Sequence, residues 1–87
     1  MSTLIDITFK GGCGQLEATL FRNGVEIDKA TIAQTGTIVL KDAEAMDTIS
    51  INGVSPANGT DININGTVEP EPEHIPEGIV MNNYVVK

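Results

Sequence analysis

Eighty-seven residues with a formal net charge of −7 and a sequence pI near 4.3 make one small acidic domain. A surface of that sign repels phosphate backbones and anionic head groups, which argues against nucleic acid and membrane as partners. One cysteine, Cys13, and one histidine, His74, supply neither an internal disulfide nor a structural zinc site, so no staple and no cofactor is expected.

Aromatic residues are 3% of the chain, namely Phe9, Phe21 and Tyr84, so the core has to be built from Ile, Val, Leu and Ala. A chain this short buries only about 60 to 65% of its unfolded surface. Assembly with other subunits is one way for such a core to gain stability. The start, Met-Ser-Thr-Leu-Ile-Asp, has neither the basic residues nor the apolar run of a secretory signal, and no stretch is long enough to span a bilayer, so synthesis in a cytosol is expected.

Thr3 to Lys10 alternates, with Ile5, Ile7 and Phe9 on one side and Asp6, Thr8 and Lys10 on the other, which predicts a first strand. Gly11-Gly12-Cys13-Gly14 then breaks the pattern as a loop or bulged corner. Alternation resumes from Gln15 to Arg22 through Leu16, Ala18 and Leu20, and Asn23-Gly24 is a strong hairpin signal before Val25-Glu26-Ile27-Asp28. A two-residue turn sets Arg22 opposite Val25 and Leu20 opposite Ile27, and continuing that register sets Lys29 beside Ala18. Ile32 has the opposite parity to Ile27, so the strand is expected to bend, bulge or change sheets around Asp28 to Ala30.

Gln34-Thr35-Gly36 reads as a turn and Thr37 to Leu40 as a short strand with Ile38 and Leu40 inward. Lys41 to Met46 is helix-prone but too short for an independent helix, and predicts a crossing connection with one helical turn. Asp47 to Thr67 holds the two cleanest alternating strands. Ile49, Ile51, Ile62 and Ile64 are their apolar positions, Thr48, Ser50, Asn52, Asp61, Asn63 and Asn65 their polar ones, and Val54 to Gly59 is a turn-rich loop between them.

After Thr67 the character changes. Three prolines and four glutamates between Val68 and Gly78 predict a stiff arm, and Ile79 to Val86 returns to strand composition with Met81-Asn82-Asn83 as an interruption. Fully extended, the residues after Thr67 reach roughly 65 Å, against about 25 to 30 Å for a body of the preceding length. The apolar end can dock on its own body or on a neighbour, and Ile75, Ile79, Val80, Met81, Tyr84, Val85 and Val86 are the candidate partner-binding residues.

Reactive groupings are sparse. Cys13 and His74 lie in a glycine loop and a proline arm with no orienting group, which does not make a nucleophilic site. The glycine loop precedes a strand, whereas a phosphate cradle needs a following helix. Asp42, Glu44 and Asp47, or Asp61 with Asn63 and Asn65, lack the loop pattern of a calcium site. These residues suit turn caps and solvated faces, and no enzyme is expected. The polar face of Thr48, Ser50, Asn52, Asn63 and Asn65 is the best candidate surface for a sugar, with Asn52, Asn63 and Asn65 as candidate glycan-binding residues and Phe21 the nearest aromatic.

Gly36 to Leu40, the connection Lys41 to Met46, and Asp47 to Gly53 together resemble the later strands of small Ig-like β-sandwich modules, where a polar residue before the penultimate strand closes a corner. Asp47 holds that position. Short acidic Ig-like chains with a strand-ending tail are similar to decoration, auxiliary or head-fibre proteins of tailed-phage virions. The resemblance covers residues 3–67 and carries over no individual functional residue. It implies an all-β chain, an Ig-like antiparallel β-sandwich of six or seven strands over residues 1–67, with a Pro/Glu-rich linker arm over 68–78 and a docking or strand-adding segment over 79–87. It further implies a non-enzymatic structural protein of a virion, assembling through its arm with capsid or sister subunits as a homo-oligomer or part of a larger assembly. A carbohydrate-binding adhesin module is the alternative.

Overall fold

The computed structural model describes residues 3–87. The chain forms β1 (Thr3–Phe9), β2 (Gln15–Arg22), β3 (Val25–Ile32), β4 (Gly36–Leu40), β5 (Thr48–Ser55), β6 (Thr60–Ile64), β7 (Val68–Glu69) and β8 (Gly78–Val86). A three-stranded sheet of order β4-β1-β6 faces a five-stranded sheet of order β3-β2-β5-β8-β7, and every pairing is antiparallel. The protein is an all-β sandwich, with six strands before residue 67, where six or seven were expected, and two more, β7 and β8, contributed by the residues after it. Its β2 and β3 lie side by side in one sheet, whereas an immunoglobulin domain places its second and third strands in opposite sheets.

Period-two alternation builds the core. Ile5, Ile7, Phe9, Ile38, Leu40, Ile62 and Ile64 project from the smaller sheet onto Leu16, Ala18, Leu20, Ile49, Ile51, Val80 and Tyr84 of the larger, and all are buried. Each such aliphatic side chain contributes about 1.5 to 3 kcal/mol by leaving water.

The β2–β3 hairpin has the expected turn, with positive φ at Asn23 (55°) and Gly24 (79°), as a type I′ turn requires. The register beyond it corrects two expectations. Arg22 pairs with Val25 and Phe21 with Glu26, but Leu20 then faces Asp28 instead of Ile27, and Ala18 faces Ala30 instead of Lys29. Ile27 is the additional residue of a β-bulge. The bulge inverts the parity of β3, so that Ala30 and Ile32 pack against the core and Lys29 stays outside, with no change of sheet.

Lys41 to Met46 crosses between the sheets without a helical turn. Asp42 (φ 63°) and Met46 (φ 75°) adopt left-handed backbone, which interrupts a right-handed helix. The segment between β5 and β6 also changes sheets. Ile49 and Ile51 come down on the core from one sheet and Ile62 and Ile64 from the other, and the Ser55 and Thr60 hydroxyls meet at 2.7 Å where the chain crosses.

The carboxyl-terminal segment pairs in cis. β8 runs unbroken from Gly78 to Val86 beside β5, and Asn82 does not interrupt it: its side chain is half-buried and donates to the Tyr84 hydroxyl at 3.3 Å. No extended arm leaves the body. The radius of gyration is 12.0 Å, the value of roughly 12 Å expected for a compact chain of this length.

Candidate functional site

Residues 70–77 cross from the edge of the larger sheet, at β7, to the edge of the smaller one, at β6. Thr60 and Ile75 exchange backbone hydrogen bonds of 2.8 Å in each direction, and the buried Ser55 hydroxyl donates to the Ile75 carbonyl at 3.4 Å. His74 Nδ1 lies 2.6 Å from Asp61 Oδ1, while Lys10 Nζ approaches Asp61 Oδ2 at 3.2 Å, and these side-chain hydrogen bonds, from His74 first and Lys10 second, hold the Asp61 carboxyl below its ordinary value. Gly59 makes the approach possible: its φ of 84° is left-handed, and a Cβ there would collide with the Ile75 carbonyl and the His74 ring. At the other end Lys87 pairs with Glu69 at 2.7 Å. Pro70 to Pro76 is therefore a strap fastened at both ends.

Between the strap and β8 lies a groove of about 610 Å³, within the range of roughly 300 to 1,000 Å³ usual for binding clefts. Glu71, Glu73 and Glu77 line it, and none has a cationic partner among the described residues. Its floor is a sheet edge. β7 covers β8 only at Val85 and Val86, so the stretch from Gly78 to Tyr84 has β5 on one side and no strand on the other. The hydrogen bond from Val86 N–H to the Asp47 carbonyl, 2.8 Å, sets the phase of the ladder. Because bonded positions alternate, Val80, Asn82 and Tyr84 turn their amides to β5, and Ile79, Met81 and Asn83 turn theirs into the groove.

The candidate partner-binding residues divide accordingly. Ile75, Val80 and Tyr84 are buried in this chain's own core, and Val85 and Val86 are half-buried. Ile79 and Met81 are 83% and 77% exposed on the outer face of the larger sheet, where Val54, paired with Ile79, joins them. The candidate glycan-binding residues are not brought together. Asn52 lies on the outer face of the larger sheet, Asn63 and Asn65 on that of the smaller, and the whole core separates them. Asn65 is also engaged in accepting a hydrogen bond from the Leu4 N–H.

Asp42, Glu44 and Asp47 gather on the chain's only arginine. Arg22 donates to both carboxylate oxygens of Asp47 (2.9 and 2.8 Å) and to the Asp42 carbonyl (2.6 Å), and lies 3.2 Å from Glu44. The guanidinium, and then the Glu44 N–H donating at 2.9 Å, keep the buried Asp47 carboxyl below the ordinary carboxylate range. This corner positions β5 and the end of β8. Cys13 is an exposed free thiol in the loop after β1, and His74 is committed to Asp61.

The role of Arg22 and the open edge of β8 were not foreseen from the sequence. A signal for the edge exists in Ile79-Val80-Met81, which is apolar on both faces although only one can meet the core. No protein-family model, no curated protein and no solved structure matches the chain. No helix of the described residues is long and apolar enough to cross a membrane.

Proposed function

We propose that this is a non-enzymatic structural protein that works by attaching to other protein subunits, and that its setting is the surface of a virion, as a decoration or auxiliary protein. The observation that carries the reading is the apolar face of β8, where Ile79 and Met81, more exposed than any other large apolar side chain among the described residues, stand beside exposed Val54. In support of attachment, large apolar side chains neighbouring an open strand edge favour association over solvation. The virion setting rests on the resemblance in architecture and length alone.

The test is size-exclusion chromatography with light scattering on the full chain, alone and mixed with shell or portal subunits encoded beside its gene. Co-elution with one of them is expected, and Ile79→Asp with Met81→Asp abolishes it without changing the thermal melt. A full chain that elutes as a monomer in every mixture overturns the proposal.

A further inference from the structure

We infer that the groove between the strap and β8 is a peptide site, which takes an extended segment of a partner bearing lysine or arginine alternating with apolar residues and adds it to the larger sheet beside β8. The inference rests on the attachment reading and names the chemistry of the partner.

The backbone comes first. Ile79, Met81 and Asn83 present N–H and C=O groups to the groove with no strand opposite, and an extended peptide in the line of β7 satisfies them by the same ladder that β7 makes at Val85 and Val86. β7 itself cannot extend over them. Pro70 follows it, denies the ladder a donor, and turns the chain toward β6. Nor does the strap fill the place, because it is tied to Thr60 and Asp61 on the opposite sheet and leaves the groove open.

Charge selects the occupant. Glu71, Glu73 and Glu77 line the groove without a cationic partner among the described residues, in a chain of net charge −7. A second copy of the chain would bring the same carboxylates against these, so edge-to-edge pairing of two β8 strands is opposed by repulsion that a basic segment turns into attraction. Apolar side chains at alternate positions meet Ile79 and Met81 on the outer face.

The experiment is hydrogen exchange by NMR on the isotope-labelled full chain, titrated with an alternating lysine–valine peptide capped at both ends. In the free chain Ile79, Met81 and Asn83 amides exchange fast while Val80, Asn82 and Tyr84 amides are protected. At saturation the former slow by about tenfold or more and the latter do not change. Glu73→Gln with Glu77→Gln, or raised salt, weakens binding about tenfold. A glutamate–valine peptide gives no protection, and neither does a lysine–valine peptide methylated on alternate backbone nitrogens. The inference is overturned if the basic peptide leaves the three amides fast, if the acidic or methylated peptide protects them equally, or if protection rises with chain concentration in the absence of peptide, which would make a second copy the occupant. Failure here leaves attachment through the outer face standing, whereas peptide binding by a chain that meets no structural subunit removes the attachment reading and keeps the groove.

Discussion

The two edges of the larger sheet are built on opposite terms. β3 is guarded: a bulge at Ile27 breaks its line, Glu26, Asp28 and Lys29 crowd its turn-proximal half, and Asp28 reaches across to accept the Lys41 N–H at 2.8 Å. Bulges and charges are how sheet proteins prevent edge-to-edge growth. β8 has neither. It is straight in register, it carries no charged residue from Gly78 to Val86, and its covering strand stops after two residues. In the proposed attachment the bare edge is the side that meets a partner, and the acidic strap restricts what can approach it.

The comparison breaks most visibly if β8 is a detachable tail and not a core strand. Tyr84→Ala removes a fully packed ring and is expected to cost about 3 to 5 kcal/mol in urea unfolding, a large part of the roughly 5 to 13 kcal/mol available to a domain of this length. A loss below the error of the melt would show that the strand contributes little to the body. Next in size is the corner that holds both β5 and the end of β8. Asp47→Asn replaces a charged partner of Arg22 with a neutral one and is expected to cost about 2 kcal/mol at neutral pH. Because the Asp47 carboxyl lies below its unfolded value, its contribution is complete above pH of about 4 and is lost as pH falls through the folded value. The wild-type and variant stability curves are therefore expected to converge in acid, and parallel curves would separate Asp47 from the acid sensitivity.

Much of the sandwich was legible because each strand records its buried side every second residue. Ile5-Ile7-Phe9 and Leu16-Ala18-Leu20 name their inward faces directly, and Asn23-Gly24 names its turn. What the pattern lacked was which sheet each strand joins. Ile49-Ile51 and Ile62-Ile64 read the same whether the strands pair in one sheet or face each other across the core, and only the second arrangement occurs. That ambiguity merged Asn52 with Asn63 and Asn65 into one polar surface. In the same way the prolines and glutamates keep Pro70 to Pro76 out of a continuous ladder, but Val68 and Glu69, read as part of the arm, form β7, and the strap's anchors are long-range, Ile75 on Thr60 and His74 on Asp61, of which local composition carries no trace. The bulge lay closer to the surface of the sequence, since the conflict between Ile27 and Ile32 requires some irregularity without saying which.

The two edges can also be exchanged in character. Met81→Lys on β8 and Lys29→Val on β3 each change stability by less than about 0.5 kcal/mol, as exposed substitutions away from packed contacts do. Their effects on association are expected to be opposite. Light scattering against concentration should show less subunit binding for the β8 variant and new self-association for the β3 variant, and identical scattering from both would mean that the charges on β3 are not what guards it.

The smallest effect concerns the strap. Asp61 is half-exposed, so its bonds to His74 and Lys10 are screened by water and contribute little to global stability. Yet they sit beside the single bridge that ties the strap to β6, and opening there parts the Thr60–Ile75 hydrogen bonds and lifts Ile75 from the margin of the core while the strand pairings of both sheets stay closed. Asp61→Asn is therefore expected to leave the urea midpoint unmoved and to accelerate exchange of the Thr60 and Ile75 amides several-fold at neutral pH. Acid should do the same to the wild type, since a carboxylate held below its unfolded value stabilises above that value and loses its hold as pH falls through the folded one. If the Leu20 and Ile51 amides in the middle of the larger sheet accelerate equally, strap and body open as one unit and the groove has no independently moving wall.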